Sequence, residues 1–330
     1  MSTRYGTARQ VTQVHGSGAW RSWHLHVASL APEALDAVVT DAVGGLGTRL
    51  GLLEPDGPPW FFIRYWQGGP HVRLRVAGLT DAEADRAEAD LADRLARLDA
   101  AVPPSARLDQ DAYARAVRPL AAAGEQGVPL PAGTLVAPGV QRAVYEPEFE
   151  RYGGRHLMPR SERLFHRSSR AALRACLSRA GTRHAVASGL EATAAACSVL
   201  DGDPASADPV RFLAVQRDRW LEWARPDNAP AGYAERARLR LTERAAQQVP
   251  ALGTLGPLLR RAVRDGDPRW AEWTDPLGAA LREWRAELGP RRAVEIFGSH
   301  LHMTANRLGV GAGREAHTAA LLLALLDTAP

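Results

Sequence analysis

The rhythm of hydrophobic and polar positions changes near residue 155. Before it, apolar residues alternate with polar ones in short runs; after it, they recur at every third or fourth position. Trp23-His24-Leu25-His26-Val27 has period two and predicts a strand, and 60–66 is a β-prone run of aromatic and branched residues. Gly68-Gly69-Pro70 predicts a turn, and 71–76 alternates again, so the two runs predict a hairpin. Residues 32–53 have helical spacing, weakened at Gly44-Gly45. Thr80-Asp81-Ala82-Glu83 has the form of a capping box and starts a charged amphipathic helix that runs to about Leu98. A last strand is expected over 140–145, before Gly153-Gly154.

The order strand, helix, strand, strand, helix, strand predicts a ferredoxin-like (split βαβ) sheet over 20–154. Residues 101–139, rich in Pro, Gly and Ala, form an insertion in it, with a short helix near 111–122, and are a candidate lid. Helices are expected over 161–180, 183–200, 209–225, 233–248, 270–288, 291–308 and 314–327, separated by Gly, Pro and Asp. No fixed-period repeat is present, which argues against a solenoid. The expected fold class is α+β, a sheet region packed with a helical region over 155–330, as a single domain of 1–330.

On the strand 71–76, Val72, Leu74 and Val76 share one face, and His71, Arg73 and Arg75 share the other. His24 and His26 likewise share a face. A solvated face is the ordinary use of such a row, but two guanidiniums two residues apart also suit a carboxylate or phosphate, offering bidentate donors that stay charged. In the helix 291–308, Val294, Phe297, Leu301, Ala305 and Leu308 form an apolar stripe. Glu295, Ser299, His302 and Asn306 form a polar stripe beside it, free of Arg and Asp, with His300 pointing elsewhere, on the surface or partly packed. That singles out His302 as a proton-transfer group. Glu148 and Arg151 are spaced to pair just before Gly153-Gly154.

Composition narrows the chemistry. The 45% hydrophobic and 24% charged shares are those of a globular protein. All 41 basic residues are Arg; without Lys there is no Schiff base, hence no pyridoxal phosphate chemistry, and no phosphate-loop lysine. The 37 acidic residues are interspersed with them and the net charge is only +4, so nucleic acid is not an expected partner. No apolar run reaches the ~20 residues that span a bilayer, and Met1 to Tyr5 lack a signal-peptide core, so no membrane partner and a cytoplasmic location are expected. Cys176 and Cys197 read as core residues. His24/His26 and His300/His302 are the close histidine pairs, each without an adjacent carboxylate or thiol; neither a metal nor a cofactor is expected. Among the nine tryptophans, Trp60, Trp66, Trp220 and Trp223 are candidates for a peptide groove, although core packing is the commoner use.

Three segments together resemble a known family. Trp60-Phe61-Phe62-Ile63-Arg64-Tyr65 with His71-Val72-Arg73-Leu74-Arg75, then 145–154, then His302-Met303 with Asn306-Arg307, are similar in kind and order to motifs of the C-terminal domain of class I lantibiotic dehydratases. That domain removes glutamate from glutamylated Ser and Thr of a precursor peptide to leave dehydroamino acids. Standalone versions in thiopeptide pathways do this or act as pyridine synthases, joining two dehydroalanines in a formal [4+2] cycloaddition with loss of the leader peptide. The resemblance implies catalytic roles for Arg73, Arg75, Glu148, Arg151 and His302, with His71, Arg64, Ser299 and Asn306 binding substrate. It implies a modified precursor peptide, leader and core, as partner, and a separate glutamylating enzyme. The stretch between Arg75 and Glu148 is longer than in the lantibiotic enzymes. Glutamate elimination is the expected activity, pyridine synthesis the alternative, and a non-catalytic leader-peptide scaffold the second alternative.

Overall fold

The computed structural model describes residues 20–54, 57–124, 128–178, 182–200, 208–226 and 228–328; the expectation for Met1 to Tyr5 falls outside them. Strands β1 (Trp20–His26), β2 (Trp60–Tyr65), β3 (His71–Ala77) and β4 (Gly139–Ala143) form a sheet in the order β2-β3-β1-β4, with every neighbouring pair antiparallel. The register places His26 opposite His71, His24 opposite Arg73 and Ser22 opposite Arg75. Because side chains alternate along a strand, Trp23, Leu25, Trp60, Phe62, Val72, Leu74 and Val76 fall together on the other face, where all are buried.

That apolar face is covered by one helical path, α1 (Pro32–Ala37), a π-helical turn (Val38–Val43) and α2 (Gly44–Arg49), where one long helix was expected. Helix α3 (Asp81–Ala100) lies over it, burying Ala84, Ala87, Leu91 and Leu95 at helical spacing. Its start is the predicted capping box: Thr80 Oγ1 accepts from the Glu83 N–H at 3.3 Å, and the Glu83 carboxylate accepts from the Thr80 N–H at 2.9 Å.

Two features position the rest. The outer edge of β2 pairs with side chains: Ser169 Oγ accepts from the Phe62 N–H (3.2 Å), Asn306 bonds both backbone groups of Arg64 (2.9 Å each), and His166 Nδ1 meets the Trp60 backbone. The 101–139 excursion carries α4 (Gln110–Ala123) and returns along the β2–β3 turn. There the buried Tyr113 hydroxyl accepts from the Gly68 N–H at 2.7 Å, and the Val136 N–H donates to the Gly68 carbonyl at 2.8 Å. Gly69 has φ +109°, and a Cβ on it would lie 2.9 Å from Leu135, so backbone freedom and close approach are both needed.

The remainder is helical: α5 (Met158–Ser178), α6 (Thr182–Cys197), α7 (Pro209–Trp223), α8 (Tyr233–Gln248), α9 (Leu255–Asp265), α10 (Ala271–Leu288), α11 (Pro290–Arg307) and α12 (Ala312–Asp327). The pattern reading missed α9 because Gly253, Gly256 and Pro257 look like breakers; Pro257 sits in the first turn, where no helical hydrogen bond needs its N–H. Leu25, Phe62, Val72, Phe165, Trp273, Phe297 and Leu322 belong to one contiguous buried cluster that joins sheet and helices. Among the described residues, no helix is long and apolar enough to cross a membrane.

Candidate functional site

The polar face of the sheet has two ends. At one, Arg75 is 8% exposed, its guanidinium 4.8 Å from the Tyr145 ring and 5.2 Å from the Phe61 ring. Burial pushes Arg75 down to about 10, which leaves it cationic at neutral pH; Tyr145, Glu148 and Tyr152 oppose that shift. At the other end, Arg73 lies 3.5 Å over the Tyr65 ring and donates from Nε to His71 Nε2 at 3.1 Å. His71 Nδ1 sits 2.8 Å from the Gly69 carbonyl, so Nδ1 carries the proton and Nε2 the lone pair. The His71 ring stacks on both His26 (4.4 Å) and His24 (4.8 Å). Burial first, and then Arg73, push His24 and His26 down to about 4, with His26 and Arg75 adding to the shift of His24; burial likewise takes His71 to about 2. All three are neutral imidazoles at physiological pH.

After β4 the chain turns through 145–154 and brings the predicted pair together: Arg151 Nη1 lies 2.9 Å from Glu148 Oε2. Gly153 makes this turn possible, with φ +88° and a would-be Cβ 2.8 Å from Leu288 and 2.9 Å from Leu157. Its close approach is to the helices, and it seats the turn against α10 and α11.

His302 projects from α11 with its side chain 24% exposed, and its Nδ1 lies 2.7 Å from Glu315 Oε1 on α12. Glu315 is the acid of the first turn of α12, and its carboxylate is buried. Burial raises its pKa, against the pull of His302, Arg219 and Arg151. The Trp220 ring packs 4.5 Å from the imidazole, and Trp220, Gln216, Leu301 and Glu315 line a small pocket. Glu315 and Arg219 were missed in the sequence; the signal available was an acid placed among the leucines and alanines of α12.

The polar stripe expected on α11 does not exist as one surface. Asn306 is committed to the backbone of Arg64, and Ser299 is buried and bonded to the Glu295 carbonyl of its own helix. Glu295 pairs with Arg291 and Arg292. Arg64 lies on the opposite face of β2 from Tyr65, with its guanidinium on Asp36 (2.6 Å) and on the Arg307 carbonyl (3.1 Å). The contacts of Arg64 and Asn306 thus tie elements together and that of Ser299 stays within α11; the family resemblance implies substrate binding for all three. His300, expected on the surface or partly packed, is fully buried among Tyr152, Phe165 and Trp284. The common reason is that α11 is buried on several sides from Ile296 to Leu308, so a single amphipathic stripe misreads it. Arg307 is fully buried, donating to Ser169 Oγ at 2.9 Å, and burial lowers it to about 9.

This constellation and fold fall within a known group. Over residues 20–326 the chain matches the family described as lantibiotic biosynthesis dehydratase C-term, and it belongs to that family. In three dimensions it is similar to TbtD, the pyridine synthase from thiomuracin biosynthesis, with TM-score 0.66 and 17% identity, covering 94% of this chain and 98% of that one. TsrL aligns with TM-score 0.57 and 16% identity, over 93% and 94% of the two chains. The tRNA-dependent lantibiotic dehydratase MibB from Microbispora sp. 107891 shares 25% identity at TM-score 0.48; 96% of this chain is covered, but only 29% of that one. The likenesses to TbtD and TsrL establish the fold alone. No curated protein matches the chain in sequence.

Proposed function

We propose that the protein is an enzyme acting on a precursor peptide, and that it removes glutamate from glutamylated Ser and Thr to leave dehydroalanine and dehydrobutyrine. One observation carries this reading. The turn that pairs Glu148 with Arg151 at 2.9 Å also places the Tyr145 ring 4.8 Å from the Arg75 guanidinium of the sheet, and the Arg151 charge favours the ionised form of Glu315 behind His302. In the reaction a base takes the Cα proton, the Cα–Cβ double bond forms, and the Cβ–O bond breaks with glutamate leaving as a carboxylate. Arg73 and Arg75 suit the glutamyl carboxylates and the negative charge that develops. With its Nδ1 proton directed at Glu315, His302 has Nε2 left to move a proton, and Glu315 can balance an imidazolium that forms. The glutamyl group would be supplied by a separate glutamylating enzyme.

The full chain, incubated with a synthetic peptide carrying a glutamyl ester on Ser, is expected to release free glutamate and a peptide lighter by the lost acid. An intact glutamyl peptide after incubation, with binding verified, would overturn the reading. The full-length correspondence with TbtD favours pyridine synthesis as the second reading. For that activity, a bis-dehydroalanine peptide should gain pyridine absorbance and lose its leader.

For the fold, the strand order and antiparallel pairings support a ferredoxin-like sheet region, and the shared buried cluster supports one domain with 101–139 as its insertion.

A further inference from the structure

Elimination as proposed uses the arginines of the sheet face and leaves the three imidazoles beside them without a step. His24 and His26 are two apart on β1, so they share a face, and His71 is the direct cross-strand partner of His26. One ligand atom from each ring lies within 4.8 Å of the others. A tetrahedral ion with bonds of ~2.0–2.1 Å needs its donors about 3.3 Å apart, a closure that side-chain rotation can supply. Two details go beyond proximity. His71 donates its Nδ1 proton to the Gly69 carbonyl, the outer contact that fixes a metal-binding imidazole with its Nε2 lone pair outward. His26 is 3% exposed, and its Nδ1 is buried without a hydrogen-bond partner, a polar atom with no task in the protein alone.

We propose that His24, His26 and His71 form a mononuclear site for a divalent cation of the zinc group, with its fourth position open toward Arg73. The donor set decides the class of ion. It offers neutral imidazoles and no carboxylate, which suits Zn2+, Co2+ or Ni2+ and is poor for Mg2+ or Ca2+. Arg73 is the competitor: its Nε–H caps the His71 lone pair, and its charge repels the ion. Entry of the ion therefore displaces that guanidinium, which can then hold an anionic fourth ligand such as hydroxide or a carboxylate. The site is accordingly weaker than a closed structural zinc site.

The test does not depend on the elimination reading, because its readout is binding. The chelator-dialysed full chain is titrated with Co2+ in visible absorption and with Zn2+ in calorimetry. Expected are one equivalent per chain, the absorption bands of tetrahedral Co2+, and no response to Mg2+. His24→Gln, at the most exposed of the three positions, and His26→Gln should each weaken binding on the order of 100-fold or more, the loss of a direct ligand exceeding the 10–100-fold that outer partners carry. Arg73→Gln should tighten binding, an outcome that misfolding cannot imitate. His156→Gln, at an exposed histidine paired with Glu287, should change nothing. Absence of one-equivalent binding, or binding that survives both His24→Gln and His26→Gln, would overturn the proposal.

Discussion

His302 and His71 sit in different halves of the molecule, and each has its Nδ1 engaged, but by partners of opposite consequence. His302 faces the buried carboxylate of Glu315, whereas His71 faces a backbone carbonyl and has an arginine on its other nitrogen. A carboxylate can balance an imidazolium that forms during a reaction; a carbonyl together with a guanidinium fixes the neutral ring. Under the proposed reading, the helical half would hold a histidine that changes its proton, and the sheet half histidines that keep their lone pairs.

The contrast breaks most directly at His302. His302→Ala should lower glutamate release by about 10²–10⁴-fold while peptide affinity, followed by fluorescence anisotropy, changes little. Turnover equal to the parent would leave the helical half without its chemistry, and a parent that binds peptide but turns over neither substrate would favour the scaffold reading. Next in size is Arg75→Gln, which removes one preorganised cation from the sheet face and should cost about 10²–10³-fold in kcat. Glu315→Gln sharpens the comparison. Activity should fall roughly 10- to 100-fold, less than with the imidazole gone, because Gln can still accept from Nδ1 but cannot balance an imidazolium. Its thermal stability should match or exceed that of the parent at pH 8. Burial holds Glu315 above the ordinary carboxylate range, so the ionised form is the unfavourable one in the fold, and a neutral amide removes that burden. A lower Tm would instead make Glu315 a structural anchor.

The smallest effect is on the sheet side. His24, His26 and His71 have folded-state values below the ordinary 6.5, so the unfolded chain takes up protons first as pH falls. Their contribution is complete above about 6.5 and is lost as pH drops toward 4 for His24 and His26 and toward 2 for His71, at no more than about 1.4 kcal/mol per pH unit for each ring. Urea midpoints between pH 7 and 4 should trace this decline, and His24→Gln should flatten it slightly. No change in slope would mean that the cluster is solvated.

What was legible in the sequence was what local period dictates. The alternation of 71–76 places Arg73 and Arg75 on one face and Val72 and Leu74 on the other, as the structure has them. The Thr80 cap and the Glu148–Arg151 pair span three residues each and could be read directly. Contacts made across long separations could not be. His71 meets His26 through strand register, and Glu315 meets His302 through the packing of α12 on α11; no local pattern encodes either. The reading of α11 failed in part for the reverse reason: Phe297, Leu301, Ala305 and Leu308 are buried as read, but from Ile296 onward neighbours enclose the helix and leave no fully exposed position from which to infer an inner face.

The clasp of Asn306, Ser169 and His166 on β2 has a consequence for how this sheet can grow. An edge strand normally offers a row of unpaired amides and carbonyls to any extended chain that arrives. On β2 that row is answered by three side chains from α5 and α11, which stand in for a fifth strand. Among the described residues no strand pairs with the far side of β4. Among the described residues the sheet is thus capped by side chains at β2 and carries no strand beyond β4, so an extended chain that arrives meets an answered backbone row at β2.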